Sequence, residues 1–157
     1  MTRKPIAPGD KAPAFTLPAD GGDELKLSDL KGRTVVLYFY PKDDTAGCTK
    51  EALAFSGNIK AFDKAGAVVV GASKDPVASH DKFKRKHGLA FRLVSDAEGS
   101  LCEDYGVWVE KSMYGRKYMG IERATFLIDE NGVVRQIWRK VKVPGHAEEV
   151  LAAVKAL

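Results

Sequence analysis

Val35-Val36-Leu37-Tyr38-Phe39-Tyr40-Pro41-Lys42-Asp43-Asp44-Thr45-Ala46-Gly47-Cys48-Thr49-Lys50-Glu51 is the stretch on which the reading of this chain turns. Val35 to Tyr40 is apolar without alternation, the pattern of a central strand buried on both faces. Pro41 cannot extend a strand ladder. A polar turn follows, with Thr45 placed to cap a helix and Gly47 small enough for the backbone to approach another group closely. Ala52, Phe55, Ile59 and Phe62 then recur at helical spacing, which predicts a helix from about 46 to 64. Cys48 falls where that helix begins. The first N–H groups of a helix lack internal partners and carry the positive end of its dipole, so a thiol there is held toward its thiolate. Asp43 and Asp44 oppose this, because nearby negative charge disfavours a thiolate. A cation from elsewhere in the chain is therefore expected to complete the site.

Outward from this strand–turn–helix, a strand is expected over 67–73. Asp75-Pro76 opens a helix running to His87, with Gly88 as its stop. A strand over 91–95 follows, then a short helix capped by Asp96 and ending near Tyr105. Ala124–Ile128 and Val133–Trp138 flank Asp129-Glu130-Asn131-Gly132, a hairpin signal. Ala147, Val150, Leu151, Val154 and Leu157 mark a final amphipathic helix, and a short strand or hairpin is expected near the N-terminus. Alternating strands and helices closed by a hairpin and a helix imply a three-layer α/β fold. With no repeat and no low-complexity linker, residues 1–157 are read as a single domain.

Composition excludes several classes. A hydrophobic fraction of 45% and a charged fraction of 29% suit a globular protein with a sizeable core. No stretch is long and apolar enough to span a membrane, and the opening Met1-Thr2-Arg3-Lys4-Pro5-Ile6-Ala7-Pro8 lacks an apolar signal core, so a cytoplasmic location without membrane attachment is expected. Two cysteines make neither a disulfide framework nor a metal cluster. The net charge of +4 is too mild and dispersed for a nucleic-acid module. Lys82, Lys84, Arg85 and Lys86 read as a solvated helix face. The basic and aromatic run Tyr114 to Tyr118 could stack on bases, but nothing else supports that use. His80, His87 and His146 read as helix-face or helix-terminus residues, with no set of metal ligands around them.

Pro41-x-x-x-Thr45-x-x-Cys48 resembles the active-site motif of the peroxiredoxins, and Tyr38 to Ala52 resembles the bacterioferritin comigratory protein, or peroxiredoxin Q, branch. Tyr105-Gly106-Val107-Trp108, Lys111 to Arg123, and the opening Gly9 to Leu17 agree with that branch in the same order. The resemblance covers nearly the whole chain. It implies a thioredoxin-like fold with a peroxiredoxin N-terminal extension, and a thiol-dependent peroxidase that needs neither haem nor metal nor other cofactor. The absence of a Cys-x-x-Cys pair argues against a thioredoxin-type disulfide exchanger.

The resemblance assigns Cys48 as the peroxidatic nucleophile, which a peroxide would convert to a sulfenic acid. Thr45 could give a hydrogen bond to the peroxide or serve only as a cap. Pro41 could shield the sulfur or simply end the strand. Arg123 matches the family's catalytic arginine and is the candidate for the missing cation, a surface ion pair being the plainer alternative. Glu51, one helical turn after Cys48, is placed either to orient that arginine or to stand as a simple helix-face carboxylate.

Two departures bear on the cycle. Ala46 stands where the family usually has proline. Leu53 stands where many members carry a second cysteine. A one-cysteine cycle is therefore expected, with thioredoxin, glutaredoxin or a small thiol as reductant and a monomer or weak dimer as the working form. Cys102 fits the inner side of a short helix as a packed thiol, and its functional alternative is a displaced resolving cysteine. A redox relay that oxidises a partner protein and a non-catalytic holdase on the same fold remain as competing functions.

Overall fold

The computed structural model describes residues 5–157; Met1–Lys4, the charged opening of the sequence, lie outside the described residues. In chain order the elements are β1 (Thr16–Pro18), β2 (Glu24–Lys26), a 3-10 turn (Leu27–Leu30), β3 (Thr34–Phe39), α1 (Ala46–Gly57), α2 (Ile59–Lys64), β4 (Ala67–Ser73), α3 (Val77–His87), β5 (Arg92–Ser95), α4 (Leu101–Asp104), β6 (Trp108–Met113), β7 (Arg116–Ile121), β8 (Ala124–Ile128), β9 (Val134–Arg139) and α5 (His146–Lys155).

β3 is the middle of a five-stranded sheet ordered β5-β4-β3-β8-β9. All six of its residues are buried, as an unalternated apolar run requires. β4 and β5 continue in parallel on one side, while β8 runs antiparallel to β3 on the other and β9 antiparallel to β8. The crossovers β3-α1-α2-β4 and β4-α3-β5 step the same way across the sheet, so right-handed connection puts both sets of helices on one face. That face is lined by Val36, Tyr38 and Tyr40 of the β3 segment, packed with Ala52, Phe55, Phe62, Phe83, Val150 and Val154 of the helices. The opposite face carries Val35, Leu37 and Phe39, packed with Phe15, Leu17 and Leu25 of the N-terminal hairpin and with Leu101, Tyr105 and Val107 around α4. These are the three layers expected of a thioredoxin-like peroxiredoxin.

Three local features differ from the sequence reading. The helix expected over 46–64 is two helices, because Asn58 leaves helical geometry at φ −104°, ψ 8° and donates its side-chain amide to the Ala54 carbonyl. That bond satisfies one of the carbonyls a helix end leaves open. Asp96 caps α4 from a distance: its carboxylate accepts from the Leu101 and Cys102 N–H groups at 3.0 and 2.9 Å, while Ser100 holds the N-cap position. The basic and aromatic run before Arg123 is a hairpin, β6–β7, turning at Tyr114 (φ 52°) and Gly115 (φ 79°). Two consecutive positive φ angles are what a two-residue turn needs to match the strand twist.

Candidate active site

The turn after β3 brings the sequence motif to the C-terminal end of the central strand. Cys48 is the third residue of α1 and is 1% exposed. Arg123 reaches it from the link between β7 and β8. Register explains how: Phe39 pairs with Ala124, so the residue before Ala124 lies beside the end of β3. One Arg123 nitrogen, Nη2, is 3.4 Å from the Cys48 sulfur, and the other, Nη1, donates to Glu51 Oε1 at 2.7 Å. Gly47 makes room for this, since a Cβ there would sit 3.2 Å from Arg123 Nη2. The close approach expected of Gly47 is therefore to the guanidinium.

Glu51 is almost completely buried, and burial pushes its carboxyl up to about 7 against the pull of Arg123. Arg123 is itself held charged: burial opposes its charge, but the Glu51 and Cys48 groups raise its pKa above the ordinary value. The second Glu51 oxygen, Oε2, and the Tyr38 hydroxyl on β3 are both buried, with no hydrogen-bond partner among the described residues. The Tyr38 ring stacks on Phe55 of α1 at 4.6 Å, which anchors the helix carrying Cys48 to the sheet.

The two aspartates expected to oppose the thiolate are turned away from it and paired elsewhere. Asp44, at φ 59°, binds Lys86 at 2.7 Å and His87 at 2.8 Å on α3. Asp43 accepts from the Tyr40 hydroxyl at 2.5 Å and from Ser79 at 2.8 Å, and meets His80 Nδ1 at 2.7 Å. Thr45 occupies the N-cap position, but its hydroxyl donates back to the Lys42 carbonyl at 2.9 Å and makes no side-chain cap. The side chain thus closes the turn instead of covering the helix end. Pro41 is half-buried directly after the strand, and Ala46 is the first residue of α1.

Leu53 is 45% exposed on α1, so the place of the missing second thiol faces outward. Cys102 lies in the other core. It is fully buried with Phe15, Leu101 and Tyr105, whereas Cys48 packs with Tyr38 and Phe55 across the sheet. Burial, with Asp96 beside it, pushes the Cys102 thiol far above its ordinary value.

Sequence reasoning missed the roles of two histidines. His80 is wholly buried, bound to Asp43 and, through Nε2, to the Val94 carbonyl at 2.9 Å. His146 is also buried, with Nε2 2.8 Å from the Thr125 hydroxyl. The available signal for His80 was its spacing from Phe83 on one apolar face of α3, but its partner Asp43 is 37 residues away.

Residues 8–137 match the AhpC/TSA family model. A putative peroxiredoxin bcp of Coxiella burnetii is 58% identical over 146 residues, covering 93% of this chain and 97% of that protein. Peroxiredoxin Bcp of Bacillus subtilis is 50% identical over 94% of each chain. Among solved structures, a PrxQ mutant of Xylella fastidiosa superposes with a TM-score of 0.93 at 43% identity over 98% of each chain. The bacterioferritin comigratory protein of Xanthomonas campestris, solved as trapped intermediate and ligand complexes bearing on its alkyl peroxide reduction, gives 0.87 at 51% over 90% of each. Motif, fold and kinship converge: the chain belongs to the AhpC/TSA family and is a peroxiredoxin of the Bcp (PrxQ) type.

Proposed function

We propose that this chain reduces hydrogen peroxide and organic hydroperoxides through Cys48 in a one-cysteine cycle, acting as one domain over residues 1–157. The observation that carries the reading is the Arg123 guanidinium 3.4 Å from the Cys48 sulfur, at the start of α1. Guanidinium and helix N-terminus together place positive charge beside the sulfur. The thiolate attacks one peroxide oxygen, an S–O bond forms and the O–O bond breaks. Hydroxide or alkoxide leaves and takes a proton, and Cys48 becomes a sulfenic acid. Arg123 donates toward the oxygen on which charge develops, and Glu51 holds it in place. Thr45 keeps the turn closed and Pro41 screens it from water.

A reductant thiol then attacks the sulfenic sulfur. An S–S bond forms and water departs, and a second thiol releases Cys48. The reading assigns this step to an outside thiol, from a thioredoxin, a glutaredoxin or a small molecule. It is supported by the placement of Cys102 beneath the opposite face of the sheet and by Leu53 where a second thiol would stand. The protein is proposed to work in the cytoplasm as a monomer or weak dimer. The test is steady-state peroxide consumption with a dithiol or redoxin donor, in wild type and in Cys48→Ser. Consumption by the wild type and none by the variant is expected, and equal rates would overturn the assignment.

A further inference from the structure

Two successive residues of the active-site turn, Asp43 and Asp44, reach the same face of α3, where His80 and His87 stand seven residues apart. The Asp44 pair is on the surface. The Asp43 pair is not: His80 is 0% exposed and Asp43 7%. Asp43 is also tied by its backbone, whose N–H donates to Asp75 Oδ2 at 2.8 Å, and Asp75 Oδ2 accepts from the Ser73 hydroxyl at 2.6 Å. The segment between Pro41 and Cys48 is thus fastened to β4, to the β4–α3 link and to α3.

Proton bookkeeping fixes the charge of the buried pair. The Val94 carbonyl can only accept, so His80 Nε2 carries a proton. Tyr40 and Ser79 donate to Asp43 Oδ1 and Oδ2, which act as acceptors. The contact of 2.7 Å between His80 Nδ1 and Asp43 Oδ2 requires a proton between them. A neutral ring with its proton on Nε2 would instead turn a lone pair toward a carboxylate oxygen. The one proton between them is assigned to His80, because Asp43 already accepts from Tyr40 and Ser79 and its carboxylate raises the His80 pKa; His80 is then an imidazolium paired with a carboxylate.

We propose that Asp43 and His80 are a positioning ion pair for the peroxidatic turn, holding it in its reactive geometry only while His80 is charged. The proposal rests on Cys48 being the nucleophile and adds residues that never touch the peroxide. The groups facing His80 are Asp43 and Tyr40 from the turn and strand end, Asp75 from the β4–α3 link, Ser79 on α3 itself and the Val94 carbonyl from β5. Burial works against the imidazolium, but Asp43 outweighs it, and the His80 pKa lies above the ordinary histidine value. The pair is therefore complete below the ordinary histidine value and is lost as pH rises through the raised one. Peroxide reduction should show an alkaline decline whose midpoint is the His80 titration.

The experiment combines nitrogen NMR of the histidine rings with single-turnover peroxide kinetics across pH, in wild type, Asp43→Asn and His80→Gln. In wild type both His80 nitrogens should be protonated below the ordinary histidine pKa, the NMR midpoint should lie above that value, and it should coincide with the alkaline kinetic limb. Both variants should lose that limb and react about ten- to a hundredfold more slowly below it, the scale of a small displacement of reacting groups. The limb should survive Lys111→Met, since Lys111 is a second cation near the site and its pKa is lowered by burial and by Arg123. A His80 ring that is neutral below the ordinary histidine pKa would overturn the proposal, as would a limb unchanged in both variants or lost in Lys111→Met. If a variant fails to fold, the wild-type comparison decides, and separate midpoints overturn the pair. Failure of the Cys48 assignment is distinguishable, because the wild type itself would then show no single-turnover reaction dependent on Cys48.

Discussion

Arg123 does two tasks with one planar group: Nη2 faces the Cys48 sulfur and Nη1 faces Glu51. A lysine could present one charge but not this fork. Arg123→Ala should therefore slow single-turnover peroxide reduction by at least about tenfold. Unchanged values would mean that the cation acts elsewhere. Glu51 gives a second residue-scale expectation. Its folded pKa of about 7 stands above the free-chain value of 4.5, so between these the folded state holds a proton that the unfolded chain has released. Stability contributed by protonated Glu51 is present below about 4.5 and is lost as pH rises through about 7. Glu51→Gln, which cannot ionise, should remove this part of the decline in a Tm-against-pH series. An identical decline in the variant would place the titration elsewhere.

At the scale of elements, α1 matters because it fixes the cysteine, and Phe55 fixes α1. Phe55 is fully buried, stacked on Tyr38 and packed against Phe62 at 6.0 Å. Phe55→Ala should cost about 3–5 kcal/mol in urea unfolding. A cost below 1 kcal/mol, roughly the value of one deleted methylene, would show that the helix is anchored otherwise. The same elements show what the sequence discloses. β3, β4 and β8 were legible as short apolar runs buried on both faces, and α3 and the β8–β9 turn from the Pro, Gly or Asn-Gly at their ends. The β6–β7 hairpin was not, because its residues are mostly exposed and mix charged residues with methionine and tyrosine without a clear alternation of apolar and polar. The break at Asn58 was hidden by an apolar period that continues through Ile59 and Phe62. Cys48, Glu51 and Arg123 were named from the motif and meet in space. The neutralisation of Asp43 and Asp44 was illegible, because it depends on which way a turn faces α3.

At the scale of the whole molecule, the sheet itself separates the two thiols. Cys48 belongs to the helix-covered face and Cys102 to the face covered by the N-terminal hairpin and α4. A disulfide needs Cα atoms within about 7 Å, so joining them would require one layer to leave the sheet. Cys102→Ser should keep peroxide turnover with a dithiol or redoxin donor, and a lost turnover would restore Cys102 as the resolver. An unresolved sulfenic acid should also move on to sulfinic acid when peroxide is in excess. The measurement that tests the account most directly is intact-mass and peptide analysis after one equivalent of peroxide, with and without a sulfenic-acid trap. The account predicts the gain of one oxygen atom, located on Cys48 and captured by the trap. A dominant Cys48–Cys102 disulfide, with nothing trapped, would contradict it.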